Sequence, residues 1–422
     1  MCLRWVQALL LAAALLSWPP ASVAQPASGG GNPKLDSLLA PMDSVVLSLL
    51  TCSPHNEVYS LYGHTAVRML DLRNGMDVVY NYGIFNFKAP HFVARFVFGK
   101  TDYELGKFPT APFLAYYSKW GSQVTEQTLN LTRQEKLRLL SALEENYRPE
   151  NRVYRYNIFF DNCSTRPRDI IERCVDGSVG YQQAPQDKTW RQLLHEKTWR
   201  HAWATFGNDM LLGLGADGVP TLREREFLPE WLMADFRTAT IVGGDGRTRP
   251  LVSGERALVA KGVQGGPMLP PSLVTAVLPL LLLAFTLLLC LRHRRESEVP
   301  LALRLHDMAL LTVMGVIGCI LTVMSFSDHP FTSPNLLLLA FNPLLFLLLP
   351  SAWRGGGERL WGVACVLAGA CMVAWVWQGF PPLAAALASC LLLRSYMRAA
   401  WQRPSAKQAS GGGRKRKDIV TH

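Results

Sequence analysis

Two short motifs carry residue types able to do covalent chemistry. Phe159-Phe160-Asp161-Asn162-Cys163-Ser164-Thr165-Arg166-Pro167 brings a cysteine to a point where Ser164, Thr165 and Pro167 signal the first turn of a helix. A thiol there meets the positive end of the helix dipole, which favours the nucleophilic thiolate. Tyr62-Gly63-His64-Thr65, well upstream, supplies an imidazole. Thiolate attack on an ester or amide carbonyl leaves a thioester and divides one hard step into two. The imidazole takes the thiol proton and later returns it to the leaving group. A third polar group must hold the ring in one tautomer. Asn81 is the first choice, with Glu57 and His55 as the other candidates. Asn162, beside the nucleophile, is the candidate to polarise the oxyanion. Arg152, Arg155, Arg166 and Arg168 flank the cysteine; they read either as a phosphate-engaging set or as a solvated basic face.

These groups need rigid elements beneath them, and the pattern predicts an α+β domain over residues 33–265. From Thr65 the alternation of Ala66, Arg68 and Leu70 with Val67, Met69 and Asp71 predicts a strand. Asn74-Gly75 is a favoured hairpin turn, and Val78-Val79-Tyr80-Asn81-Tyr82 is the return strand. Thr132 and Glu135 form a capping box, followed by Leu137, Leu140 and Leu143 at helical spacing. Cys163 opens the next helix. Residues 176–265 are a Gly/Pro-punctuated mixture with no clear periodicity.

The rest of the chain places this domain at a membrane. Residues 1–24 read as a cleaved export signal: Arg4, an apolar run from Ala8 to Leu16, then Ser22-Val23-Ala24. Beyond position 270 about five apolar segments follow, within 271–395: Pro271–Leu291, Leu305–Phe326, Asn335–Pro350, Leu360–Gln378 and a shorter Pro381–Leu393. Arginine clusters at 292–295, 354/359 and 394/398/403 fall on one side if five segments cross, and that side is cytoplasmic. The net charge of +11 fits this map. Fourteen Lys/Arg against six Asp/Glu lie from Arg292 onward, so eight of the excess charges are in loops and tail. The basic tail, 396–422, reads as an anchor against anionic lipid rather than a nucleic-acid site. Cys52, Cys163 and Cys174 are the cysteines of the exported domain; with Cys163 as nucleophile, Cys52 and Cys174 are candidates to pair. No CxxC or HExxH spacing occurs, so neither a metal nor a cofactor is expected. Asn335 and Asn342, seven residues apart, are expected on one face of the third segment.

Several blocks resemble one family. Cys52-Ser53-Pro54-His55-Asn56-Glu57-Val58-Tyr59-Ser60-Leu61-Tyr62-Gly63-His64-Thr65 resembles the opening motif of the Lnb family, bacterial lipoprotein N-acyltransferases. Tyr80 to Phe87, Tyr156 to Thr165, Phe227-Leu228-Pro229 and Ser327-Asp328-His329-Pro330 are similar to its later blocks. His55 departs from the pattern, where a small residue is expected. The order His then Cys also resembles permuted papain-like enzymes of the NlpC/P60 and lecithin:retinol acyltransferase types. The resemblance implies an exported permuted papain-like domain on a transmembrane bundle in the bacterial inner membrane, with its catalytic side periplasmic. It implies a phospholipid acyl donor, a diacylated lipoprotein acceptor, and His64 with Cys163 as the catalytic pair. His329, in an exported-side loop, is then a candidate contact of the active site, and Arg166 and Arg168 are candidate substrate-binding groups. The rival readings are a peptidoglycan amidase or peptidase using the same pair, and a non-catalytic membrane assembly protein.

Overall fold

The computed structural model describes residues 37, 39–85, 90–182, 185–264, 270–296 and 298–401. The expected export signal and most of the basic tail lie outside the described residues. Up to Asp43 the chain forms a unit of its own, in which Ala40–Asp43 makes a 3-10 turn; Ser44 onward is a second unit.

The second unit begins with the α+β domain. Its strands are β1 (Val45–Cys52), β2 (His64–Asp71), β3 (Met76–Ile84), β4 (Asp102–Pro109), β5 (Val124–Leu129), β6 (Val153–Arg155), β7 (Ser178–Gly180), β8 (Thr240–Val242), β9 (Thr248–Pro250) and β10 (Val252–Val259). Seven form an antiparallel sheet in the order β10-β5-β1-β2-β3-β4-β6, and β7-β8-β9 form a small second sheet. β2 and β3 are joined at Asn74-Gly75, where Gly75 has φ +65°, a value that suits glycine. Thr65 to Met69 are buried without alternation because helices cover both faces of the sheet. On one face Phe113 and Tyr117 of helix Thr110–Lys119 pack on Leu50, Cys52, Ala66 and Val79. On the other, Tyr82 donates to Asn146 of helix Arg133–Tyr147 at 2.7 Å.

That helix carries the expected capping box, with Glu135 N–H donating to the Thr132 hydroxyl at 3.3 Å and Thr132 N–H to Glu135 at 2.7 Å. Its inward positions are Glu135, Leu139 and Leu143, four residues apart. Leu137, expected inside, is 38% exposed, because it lies on the opposite side of the turn. The region 176–265, which shows no clear periodicity in sequence, contains short helices, chiefly Trp190–Thr198, Ala202–Leu211 and Pro229–Thr238, and returns to the sheet edge as β10.

The remainder is helical. Leu273–Arg292, Leu301–Ser325, Leu336–Arg354 and Pro382–Ala400 are long and apolar enough to cross a membrane. Two expectations are corrected here. The last segment, expected to be short, is a helix of 20 residues, Pro382–Trp401; the fourth, Glu358–Ala374, is the short one at 17 residues. The third is not one regular helix. It runs as 3-10 turns Leu336–Leu339 and Pro343–Leu348 and then α-helix Leu349–Arg354. Pro343 lacks the N–H that a continuous helix needs and constrains Asn342 before it. Asn335 and Asn342 therefore do not share a helical face; each begins a separate turn. Gly315 and Gly318 let this irregular segment come close, since a Cβ on Gly318 would stand 2.5 Å from the Asn342 backbone.

The two halves are tied together at the loops that end these segments. Asn335 donates to Met210 O at 2.8 Å, Gly213 N–H donates to Phe331 O at 2.6 Å, and Gln378 donates to Leu212 O at 3.3 Å. Phe331 enters the soluble core, its ring 5.1 Å from Phe159 and 5.3 Å from Trp190.

Candidate active site

The site gathers at the head of β2. The chain reaches it through Gly63, whose φ of +80° and close approach to Cys52 O leave no room for a side chain. His64 opens β2 and Asn81 lies on the paired strand β3. The His64 Nε2 and Asn81 Oδ1 atoms are 2.5 Å apart. An amide oxygen only accepts, so Nε2 carries the proton and Nδ1 is left to face the thiol. Glu57 is not in this contact. It is exposed at the start of the 3-10 turn Val58–Ser60, and its backbone N–H donates to His55 Nδ1 at 3.4 Å. Its candidacy as orienting group is corrected in favour of Asn81.

Cys163 is 8% exposed and hydrogen-bonds to His64. Burial pushes its thiol up. The charge and hydrogen bond of His64 oppose this, joined by the N–H groups of Thr65 and of Cys163 itself, and hold the thiol below its ordinary value. For His64, burial acts downward, but the Cys163 thiolate and the Asn81 hydrogen bond win and raise it. Both directions favour a thiolate–imidazolium pair. Gly83, with φ +95°, borders the pair: a Cβ there would lie 3.7 Å from Cys163 Cβ and 4.0 Å from His64 Cε1. The Tyr117 ring stacks beside His64 at 6.4 Å. Sequence reasoning missed Gly83, Tyr117 and the Thr65 N–H. Only Gly83, in the Tyr-Gly-Ile-Phe block, carried a local signal.

Asn162 has a different task from the one expected. Its oxygen accepts the Ser164 and Thr165 N–H groups at 2.7 and 3.0 Å, and its NH₂ donates to Ile158 O at 2.7 Å and Phe227 O at 2.9 Å. Both amide hydrogens are used, so the side chain caps helix Thr165–Cys174 and has none left for an oxyanion. The segment ending at Pro229 buttresses the turn that carries Cys163: Ser164 Oγ donates to Glu226 O at 2.8 Å, and Pro229 packs 3.7 Å from the Gly63 Cβ position.

The flanking arginines are paired with acids. Arg152 meets Glu104 at 3.1 Å and Arg155 meets Asp102 at 3.0 Å. Arg166 forks onto Asp161 at 2.5 and 2.8 Å and lies over the Tyr154 ring at 3.6 Å. Arg168 is buried, bonded to Asp169 at 2.8 Å and Glu226 at 3.1 Å. Arg168 is thus engaged within the fold, and Arg166 is paired with Asp161 at the edge of open space. Arg166 and Tyr82 line a cleft of 610 Å³, but Asp161, Asp169 and Glu172 balance its cations. His329 does not reach the pair either; its Nε2 lies 2.6 Å from Phe96 O, tying the membrane loop to helix Phe92–Val97. His55 is buried and stacked on Trp120 at 4.9 Å.

Cys52 and Cys174 are both free thiols. Cys52 sits directly across from His64 in the β1–β2 register, whereas Cys174 ends the ten-residue helix that follows Cys163, roughly 15 Å along its axis. That separation is why the pairing fails. Among the described residues no cluster of His, Cys, Asp or Glu suits a metal ion.

The electrostatics predict a reactivity profile. A thiol held low is deprotonated, and so alkylated by iodoacetamide, well below the pH that an ordinary cysteine needs. In His64→Ala burial is no longer opposed by the imidazolium, so the midpoint of the rate–pH curve moves up. An unmoved midpoint contradicts the ion pair.

Two family models match the chain: the Lnb N-terminal periplasmic domain over residues 38–196 and the Lnb transmembrane domain over residues 267–403. The first contains His64, Asn81 and Cys163. No curated protein and no solved structure matches.

Proposed function

The chain belongs to the Lnb family of lipoprotein maturation proteins, a multi-pass membrane protein with a periplasmic domain, and we propose that it is a lipoprotein N-acyltransferase working through a Cys163 thioester. The observation that carries this reading is the linear set Asn81–His64–Cys163, a thiol held low by an imidazole whose other nitrogen is bonded to an amide.

The steps follow from those atoms. The Cys163 thiolate attacks the carbonyl carbon of a phospholipid ester, and negative charge moves to the carbonyl oxygen. Collapse breaks the bond to the glycerol oxygen, which takes the proton held on the His64 imidazolium, so a lysophospholipid leaves and the acyl chain stays on sulfur. The free amine of a diacylated lipoprotein's N-terminal cysteine then attacks the thioester carbon. His64 accepts the amine proton, the amide forms, and the thiolate is released. Asn81 keeps the ring in the tautomer and orientation that both halves need.

Incubating the purified protein with phospholipid alone should add one acyl mass to a peptide containing Cys163, and a diacylated lipopeptide should remove it as the triacylated product. Lipopeptide cleavage without acyl gain would point to the amidase or peptidase reading. Neither product would leave the assembly-protein reading.

The chemistry also requires Cys163 to face exported lipoproteins, with the membrane segments leading away from that side. We expect reporters at Gly266 on the periplasmic side and at Gly356 and Gly412 in the cytoplasm of the inner membrane. A reporter at Gly412 found outside would mean that the 17-residue helix Glu358–Ala374 does not cross. An inside location for Gly266 would end the acyltransferase reading.

A further inference from the structure

The strand that carries Asn81 continues away from the catalytic pair as an aromatic path. Past Gly83 it reaches Phe85, whose ring stacks on Phe92 at 6.2 Å, and Phe92 stacks on Phe96 at 6.1 Å. Phe92 opens the short helix Phe92–Val97, of sequence Phe-Val-Ala-Arg-Phe-Val, in which no residue is buried. Val93 is 73% exposed and Phe96 50%. Leaving such side chains in water forgoes the free energy of burying them. Two large apolar side chains left exposed on one short helix call for a covering partner.

What the helix is fastened to identifies that partner. Asp328 N–H donates to Phe98 O at 3.0 Å, and His329 Nε2 lies 2.6 Å from Phe96 O. Gly99 comes so near that a Cβ there would stand 2.9 Å from the His329 nitrogen. Asp328 follows the membrane-crossing helix Leu301–Ser325 by three residues, a reach of at most ~10 Å. Between them Phe326 is 81% exposed. The end of a span lies at the bilayer surface, so the aromatic helix is held there too. His91, which precedes it, keeps a φ of +55°, a conformation that needs support from its surroundings.

We propose that helix Phe92–Val97, with Phe85 and Phe326, is the lipid entrance of the active site. Its exposed face lies in the periplasmic interface of the bilayer. A phospholipid acyl chain leaves the membrane along Phe96, Phe92 and Phe85, bringing its ester towards Gly83 and Cys163. The acyl-transfer reading says what is transferred, and this inference rests on it only for that; where the lipid sits is a separate matter.

The test uses the full chain in nanodiscs of phosphatidylethanolamine and phosphatidylglycerol. In the Cys163→Ser background, p-benzoylphenylalanine at position 96 should capture phospholipid on irradiation. The same probe at exposed position 72, beyond the far end of β2 from His64, should not. Equal capture at the two positions overturns the proposal, and this arm needs no catalysis. In a second arm Phe96→Asp is compared with the unaltered chain for acylation of Cys163 by bilayer phospholipid and by water-soluble p-nitrophenyl acetate. The ratio of the two rates should fall about tenfold or more, as loss of one apolar anchor to a charge implies. An unchanged ratio overturns the route, whether both rates are kept or both fall together. If the unaltered chain is acylated by p-nitrophenyl acetate but never by phospholipid, the acyl-transfer reading fails, while capture at position 96 still decides where lipid binds.

Discussion

Cys163→Ser is expected to lower acyl transfer by about 10⁴-fold or more, with the protein still folded and inserted. The exchange removes one heavy-atom type and little volume, so the buried turn at 8% exposure keeps its packing. What is lost is the low-lying anion. A serine hydroxyl ionises far above a thiol, so His64 can no longer hold a preformed nucleophile beside it. His64→Ala should cost a comparable amount, and the double variant hardly more than either single one, because members of one catalytic unit are not additive. The measurement is transfer of a fluorescent acyl chain from phospholipid to a diacylated lipopeptide, with the Cys163 thioester followed by mass. Near-normal turnover in Cys163→Ser would sink the mechanism. Retained activity in His64→Ala with loss in His55→Ala would move the base to a ring that is stacked on Trp120.

Local signals explain which parts were legible in the sequence. The Asn74-Gly75 turn and the Thr132/Glu135 box are set by neighbours within four residues, and the elements they bound follow from them. The motifs around His64 and Cys163 were readable as a pair because each carries its own turn chemistry. Asn162 was not. Asn-Cys-Ser-Thr supports an oxyanion donor as well as a helix cap, and the choice is made by Phe227 O, 65 residues away. Arg168 misled for the same reason, since its partner Glu226 is 58 residues distant. Residues 176–265 gave no periodicity because their short helices are held by such contacts rather than by propensity. In the membrane half, hydropathy reports length and apolar content but not backbone breaks. Hence the third segment looked like a helix, although Pro343 interrupts it.

The same blindness affected two charges, and they carry the second large prediction. Arg394 and Arg398 were counted among the cytoplasmic flanking cations, but both are buried, at 0% and 4% exposure. Arg394 forks onto Asp307 at 2.7 and 3.0 Å, and Arg398 reaches the same carboxylate at 2.9 Å. Arg398 also donates to Ala352 O at 2.6 Å, so the ion cluster joins helices Leu301–Ser325 and Pro382–Trp401 to the end of the broken third segment. Asp307→Ala should therefore destabilise the membrane half by about 3–5 kcal/mol, because it leaves two guanidinium groups without their anion in a low-dielectric interior. Arg398→Met should cost less, since Asp307 keeps its two-point bond to Arg394. Replacing all three by apolar residues of similar size (Asp307→Leu, Arg394→Leu, Arg398→Met) should recover most of the loss, for a buried ion cluster seldom outdoes well-packed hydrophobic groups. Thermal unfolding in detergent gives the order: the intact chain and the triple variant highest, Arg398→Met below them, Asp307→Ala lowest. If Asp307→Ala unfolds at the temperature of the intact chain, the carboxylate is not what holds these segments together, and their packing rests on Gly315, Gly318 and the apolar core alone.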